Sequence, residues 1–537
     1  MVRRTSLAVL GCCLAWGGVS LSEEPAGPAD DVQRVASEID GLLVRSWEEN
    51  GVTPTPPSSD AEFLRRVHLD LCGRIPPASD VRDFLSDESA GKRRQAVDRL
   101  LGTGTYIVHH TNLWRAAMIP EAEADPQIRA FLPGFEAWLR SRIAENRNYA
   151  QIVAEVLTLP FEGLDAQQLQ QADSPTPIAF YQAKEAKPEN LASATSRVFL
   201  GIRLECAQCH DHFFDTWKQD DFWSYAAFFS RLQPDAMMAA DWSAAPAGDT
   251  PVRLDRLAPV VKIPGTDREA VARFLDGTQP PWTAEADARQ VLADWVTSPE
   301  NPYFAAATVN RIWAHHFGIG LVEPLDDFSA HNPASHPDVL DRLAREFVAH
   351  EFDVKFIIRV ITATRAYQLS SRQSDASQQQ SPRMFARMAV RALTPEQIFD
   401  SIAQATGYQQ PFNPEEPLNF NNDPRRQEFI EMFANSSDSP TERPSTILQA
   451  LATMNGQFVT DATDLSQSRT LAAVAEAPFL SPSEQIEALF LATLSRPPEA
   501  AESSQFAAYV SSATSPGQVL GDVFWALLNS SEFLMNH

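Results

Sequence analysis

Apolar residues recur at three- and four-residue intervals along most of this chain. Between Asp30 and Asn50 they are Val32, Val35, Ile39, Leu42, Leu43 and Trp47, the spacing of one face of an amphipathic helix. The run Thr53-Pro54-Thr55-Pro56-Pro57 ends that helix, and a second follows through Phe63, Leu64, Val67, Leu69 and Leu71. Gly73 closes the second helix and Pro76-Pro77 open a third through Val81, Phe84 and Leu85, since glycine suits a helix end and proline a first turn. The next helix carries Val97, Leu100 and Leu101. The same periodicity predicts helices near Phe135–Ile143, Ile152–Leu159, Leu191–Leu200 and Phe222–Phe229, and later at Arg289–Trp295, Phe304–Phe317, Val339–Phe347, Phe356–Thr364 and Pro395–Thr406. Strand signals are weak. The short piece Pro259–Ile263, with β-branched Val260, Val261 and Ile263, is one that reads as extended.

The expected fold class is therefore mainly α. A chain of 537 residues exceeds what one hydrophobic core serves, because cores stop growing at about 250–300 residues. Two helical domains are expected, over residues 30–232 and 286–537. They are joined by an irregular connector, 233–285, rich in Pro, Ala and Asp from Gln233 to Trp282 and holding at most a small β element. Ser370–Pro382, with Gln378-Gln379-Gln380, reads as a polar loop. Arg74-Ile75-Pro76-Pro77 before Phe84 is echoed by Ser495-Arg496-Pro497-Pro498 before Phe506. This is one helix-start solution used twice, because no fixed repeat period accompanies it.

Hydrophobic residues at 44% and charged residues at 21% are the balance of a folded protein. The 70 Asp and Glu against 44 Lys and Arg give a net charge of −26, which repels phosphate backbones, so no nucleic-acid partner is expected. Arg3-Arg4, the apolar stretch Leu7–Leu21 and the small residues near Ser20 and Ser22 read as a signal peptide over residues 1–22. Export follows, to the periplasm or beyond. A lipoprotein anchor at Cys12 is the less favoured reading, because the apolar run continues past it. No later stretch is long and apolar enough for a membrane span. Removing the signal leaves Cys72, Cys206 and Cys209, too few for a disulfide framework, and Cys72 in its apolar context reads as a buried inert thiol.

Candidate chemistry concentrates at Cys206-Ala207-Gln208-Cys209-His210. Covalent haem c needs two thiols to form thioethers and an adjacent imidazole for iron, and this stretch supplies them at the required spacing. Two alternatives stay open: zinc held by Cys206, Cys209, His210 and His212, or a disulfide or free thiol pair. The aromatic run Phe213, Phe214, Trp217, Phe222, Trp223, Tyr225, Phe228 and Phe229 is read first as core, and second as the wall of a haem edge. Asp211, Asp215, Asp220 and Asp221 fit solvated helix termini as readily as a cation site. In the second half, His315 and His316 diverge by about 100° on a helix, and these and His336 are read first as structural. There is no nucleophile elbow, phosphate loop or dinucleotide fingerprint.

Two sets of motifs carry a family resemblance. The first is Arg65-Arg66-Val67-His68-Leu69-Asp70-Leu71-Cys72-Gly73-Arg74-Ile75-Pro76 with Phe199-Leu200-Gly201-Ile202-Arg203 and Cys206–His212. The second comprises Asn301-Pro302-Tyr303-Phe304, Asn310-Arg311-Ile312-Trp313, Gly318–Val322, Ser335-His336-Pro337 and Trp525–Phe533. Together they resemble the two paired domains of unknown function found in planctomycete secreted proteins associated with cytochrome c domains. The resemblance spans nearly all of the expected mature chain. Such proteins often carry a separate N-terminal cytochrome c domain, which is not expected here. Two departures stand out: Cys72 takes a place where relatives usually have threonine, and Phe213-Phe214 follow the Asp-His pair where relatives have His-Pro or Pro-Phe.

Two function classes follow. One is an electron-transfer protein with haem on Cys206, Cys209 and His210, serving periplasmic redox partners. The other is a non-catalytic scaffold or binding protein whose cysteine loop is structural, with zinc or a disulfide. In the first, His210 is the proximal iron ligand, and His212 lies too near to reach the far face. The opposite ligand is expected from His336, across the domains, or from His68.

Overall fold

The computed structural model describes residues 28–123, 125–161, 175–212, 215–232, 257–283, 285–372, 381–411, 423–433, 456–512 and 515–537. The expected signal peptide with Cys12, the pair Phe213-Phe214, connector residues 233–256 and 284, and most of the polar loop lie outside them.

The chain opens with α1 (Pro28–Glu49), α2 (Asp60–Cys72), α3 (Ala78–Ser86), α4 (Lys92–Leu101) and α5 (Gly104–Met118). It continues through α6 (Pro126–Arg129), α7 (Leu132–Ala144), α8 (Tyr149–Leu157), α9 (Ile178–Ala183), α10 (Pro188–Leu200) and α11 (Gln219–Ala226). A hairpin of β1 (Val260–Lys262) and β2 (Glu269–Val271) precedes α12 (Ala288–Val296), α13 (Phe304–Phe317), α14 (Pro337–Ala349) and α15 (Val354–Ala363). After β3 (Arg391–Ala392) come α16 (Pro395–Thr406), α17 (Pro424–Phe433), α18 (Gln457–Ala462), α19 (Arg469–Ala475) and α20 (Pro482–Thr493). The last elements are α21 (Ala500–Ser511), α22 (Pro516–Leu528), α23 (Ser531–Leu534) and β4 (Met535–Asn536). The fold is mainly α, and among the described residues there are two small two-stranded sheets. Among the described residues no helix is long and apolar enough to cross a membrane.

Local sequence explains where these helices start and stop. Ser59 caps α2 by accepting from the Glu62 amide at 3.2 Å, and Gly73, at φ 69°, ends it with its N–H on Leu69 O. Thr394 with Gln397 and Ser481 with Glu484 form capping boxes that start α16 and α20, each with proline in the first turn. The stripe Val32, Val35, Ile39, Leu43 and Trp47 is the buried face of α1, and it packs on α14 and α15 from the other half of the chain.

Buried apolar residues form two cores. The first runs from Val32 to Met388, with Leu491, and takes in Ile263, Ala270, Ala272 and Leu275 from the described part of the expected connector. The second gathers Leu393 to Phe533 and takes in Leu69 and Ile75 from the first half. Helix α2 feeds both cores, with Phe63, Leu64, Val67 and Leu71 in the first and Leu69 in the second. The β1–β2 hairpin, in the register Val261↔Ala270, is the small β element expected near Pro259–Ile263. Beyond it Phe274 stacks on Phe228 at 5.2 Å and on Trp295 at 4.9 Å, tying the connector to both flanking helical segments. The two echoed helix-start motifs lie close in space, because α20, which leads into the second, packs against α3, which follows the first.

A single core across the connector has a measurable consequence. Cutting at a protease site inserted within residues 233–256 is expected to leave both fragments co-eluting from a sizing column under native conditions. Two separately folded fragments in that experiment would show that the halves do not depend on each other.

Candidate functional site

The cysteine loop leaves α10 through Gly201, which sits at φ 68°. A side chain there would meet the Phe328 ring at 2.7 Å, and the Phe328 amide donates to Gly201 O at 2.9 Å. Arg203 pairs with Asp326 at 2.5 Å, so the loop starts clamped to the second half of the chain. Leu204, at the start of the short 3₁₀ turn Glu205–Gln208, and Ala207 within it are fully buried, while Cys206 is exposed. Cys206 and Cys209 are free, exposed thiols.

The turn is held from behind. The Trp223 indole donates to Gln208 O at 3.0 Å and the Gln219 side-chain amide to Cys209 O at 2.9 Å. Gln219 N donates to Asp211 at 3.0 Å, and His212 N to Trp217 O at 2.8 Å. His210 is exposed, with Nδ1 2.9 Å from Asp211 O. A carbonyl only accepts, so Nδ1 is the donor in this contact.

The aromatic residues Phe222, Trp223, Tyr225, Phe228 and Phe229 are core, at most 3% exposed. Asp220 and Asp221 are engaged by Arg268 and Arg273. Among the described residues no three His, Cys, Asp or Glu side chains are grouped as a metal site, so Cys206, Cys209, His210 and His212 are not drawn into a tetrahedron. The structure places the other candidate ligands elsewhere. His68 is inside α2, where burial, with Arg99 and Arg74 nearby, pushes its pKa down to about 3. His336 caps α14, with Nδ1 3.3 Å from Ser335 Oγ and its ring 5.5 Å from Phe385, and burial lowers its pKa.

A second polar centre, buried on α2, has no counterpart in the sequence reading. Glu62, Arg65, Arg66, His68 and Asp70 are each at most 8% exposed. Asp70 Oδ1 accepts from Arg391 and from Asn536, both at 2.7 Å, and Oδ2 accepts from the Tyr367 hydroxyl at 2.7 Å. Burial alone would raise the Asp70 pKa. Arg391, His316, His315 and the Tyr367 hydroxyl outweigh it and hold the carboxyl below its ordinary range. Arg65 donates to the carbonyls of Thr493, Glu532 and Phe533 at 2.7–3.2 Å. Arg66 donates to Tyr367 O and pairs with Glu62 at 2.8 Å, while Glu62 accepts from Ser370 and Ser371.

Four histidines adjoin this centre. His109 and His110 on α5 face His315 and His316 on α13, with ring centroids 5.1–6.0 Å apart along the contacts between them. His315 Nε2 donates to Asp70 O at 2.7 Å, and His316 Nδ1 to Ile312 O at 2.8 Å, so the adjacent pair diverges as its helical spacing requires. The Nε2 atoms of His109, His110 and His316 are buried without a hydrogen-bond partner. Burial drives His109 to about 3, His316 to about 4 and His110 well below 6.5, so these three rings are neutral at pH 7. One signal in the sequence was available: two His-His pairs, each on an apolar helix, are the only such dipeptides in the chain.

These features define a helical protein assembled from two matched regions. Residues 38–234 match the PSCyt2 family, described as a protein of unknown function (DUF1549), and residues 288–510 match PSD1, described as a protein of unknown function (DUF1553). No curated protein and no solved structure matches the chain. The cysteine loop and α2 fall in the first matched region; His315, His316, Tyr367 and Arg391 fall in the second.

Two tests follow from the buried centre. Asp70→Ala leaves Arg391, Asn536 and Tyr367 without their acceptor, and is expected to cost about 3–5 kcal/mol in urea unfolding. A loss under about 1 kcal/mol would mean that the network is solvated. The histidines make stability depend on pH. Their folded pKa values lie below the unfolded value of about 6.5, so below that pH the unfolded chain binds more protons. Stability is present above about pH 6.5 and falls on the order of 1 kcal/mol per pH unit for each ring as pH drops toward 4. Chemical denaturation at pH 7, 6 and 5 measures this slope, and His316→Gln is expected to flatten it.

Proposed function

We propose that the protein carries a haem bound covalently to Cys206 and Cys209, with His210 as an iron ligand, and transfers electrons outside the cytoplasm. One observation carries this reading: a single short turn presents both thiols, free and exposed, on a backbone fixed by Trp223 and Gln219 rather than by the sulfurs. Attachment would add each S–H across one vinyl group, sulfur to one carbon and hydrogen to the other, which consumes neither oxidant nor reductant. The Asp211 carbonyl on His210 Nδ1 supports the same reading, because ligating imidazoles characteristically donate their other nitrogen to a carbonyl or carboxylate. Haem, when bound, supplies one-electron chemistry. His336 and His68 are left out of the assignment, since both are buried, His336 against the Phe385 ring and His68 within α2. Export rests on reading residues 1–22 as a signal.

A second reading is a non-catalytic scaffold whose cysteine loop is structural. Its support is the set of contacts from Trp223 and Gln219 to Gln208, Cys209 and Asp211, which ties the turn to the helix that follows it. Expression in a bacterial periplasm together with a cytochrome c maturation system separates the two. Covalent haem that survives denaturing electrophoresis, and is lost in Cys206→Ser and Cys209→Ser, is expected. A matured wild-type protein without haem absorbance would overturn the haem reading and leave the scaffold.

A further inference from the structure

His316 stands in the buried centre with one ring nitrogen unused. Its Nδ1 donates to Ile312 O at 2.8 Å, and its Nε2 is buried with no partner. The titratable and charged groups that face the ring are His315 on its own helix, His109 and His110 on α5, Asp70 on α2, Arg391 on β3 and Tyr367, whose ring centroid lies 5.8 Å away. Asp70 is the one carboxylate of that set, and its oxygens already accept from Arg391, Asn536 and Tyr367. A proton on His316 Nε2 therefore creates a second cation competing with Arg391 for a single carboxylate.

Of the three partners of Asp70 only Arg391 is charged, so it alone is repelled by an imidazolium. It is also the nearer of the ion pair to solvent, its side chain 8% exposed against 1% for Asp70. Besides Asp70 its guanidinium reaches the His315 carbonyl, and its Nε is buried with no partner. The backbone that carries it is paired over two residues, Arg391↔Asn536 and Ala392↔Met535, with the Leu393 amide on Leu534 O at 3.1 Å. Asn536 Oδ1 is unsatisfied as well. A ladder this short, with two polar atoms left over, is a place for local opening below the cost of global unfolding.

We infer that this centre is an acid-operated latch: a proton taken from solvent by His316 replaces Arg391 as the counter-ion of Asp70, and the β3–β4 clasp releases α2 ahead of any unfolding of the cores. Asp70 keeps a cation throughout, and Arg391 exchanges a buried partner for water. The direction follows from the two states. With Arg391 in place, burial and the neighbouring rings hold His316 at about 4. With Arg391 gone, the Asp70 charge raises it, so opening takes up a proton and grows as pH falls below the ordinary histidine value of about 6.5.

Hydrogen exchange of the full chain, read by mass spectrometry over peptides spanning 389–394 and 533–537 and divided by the intrinsic rate at each pH, measures the latch. Opening of both peptides is expected to rise about tenfold per pH unit between pH 6 and 5, one proton per opening, and at pH 5 to exceed that of α8 and α14 by about a hundredfold or more. His316→Gln, neutral at every pH, is expected to remove the pH dependence from both peptides and to leave them protected at pH 7. His110→Gln, which keeps the His316 ring, is expected to retain it. Peptides that track α8 and α14 at every pH overturn the latch in favour of global unfolding, and the wild type alone decides this even where a variant does not fold. Opening that stays constant from pH 7 to 5, or that keeps its pH dependence in His316→Gln, overturns it too.

Discussion

The ion pair between Asp70 and Arg391 is the contact on which the rest of the arrangement turns. An ionised carboxylate at 1% exposure loses nearly all its hydration, a cost of several kcal/mol that only well-placed partners offset. Asp70 has those partners on both oxygens, from Arg391, Asn536 and Tyr367, and they stand 297 to 466 positions away along the chain. Two of them, Arg391 and Asn536, face each other across the pairing of β3 with β4, so both depend on the return of the last strand. Arg65 and Arg66 add the same requirement, since their acceptors include Thr493, Glu532, Phe533 and the backbone of His537. A half-formed version of this network would leave several charges buried and unpaired, so it penalises every arrangement but the complete one.

This accounts for the two matched regions packing together around α2. The helix lies in the first matched region, and its acceptors and donors lie in the second region and beyond it to the last residue. The apolar packing agrees with the polar one. Leu69, one residue from Asp70, belongs to the second core, while Val67 and Leu71 belong to the first, so α2 is a wall common to both. Two cores that meet on one helix cannot be pulled apart without exposing both.

What the sequence made legible was local. Phe304–Phe317 and Pro395–Thr406 are helices over the same residues that periodicity marked, because Gly318, Gly407 and the Thr394-Pro395 start are signals carried within a few residues of the boundary. Gly73 and Pro76-Pro77 worked for the same reason. The charged half of α2 was not legible. In Arg65-Arg66-Val67-His68-Leu69-Asp70-Leu71 the polar residues fall on several faces, and nothing nearby says that all are buried, since the groups that satisfy them come from hundreds of residues away. The aromatic run after the cysteine motif is core at Phe222–Phe229, the first of its two readings. Of the site itself, spacing gave the thiols and His210. Their exposure depended on Leu204 and Ala207 turning inward, which no pattern of two residues announces.

The cysteine turn and the buried centre are linked through the backbone. The turn's entry is fixed where Gly201 meets Phe328 and Arg203 meets Asp326, and both partners belong to the segment that follows α13, the helix bearing His315 and His316. Asn310 of that helix holds the same segment, donating to Val322 O and accepting from Val322 N, both at 2.9 Å. The path from Asp70 through His315 and α13 to the segment 320–328 and on to Gly201 therefore runs over named contacts without a gap. The exposed thiols of Cys206 and Cys209 stand on a turn whose entry is held from the other half of the chain. That half is locked in place by the charges on α2, so the loop of the first region has its geometry only when both regions are assembled.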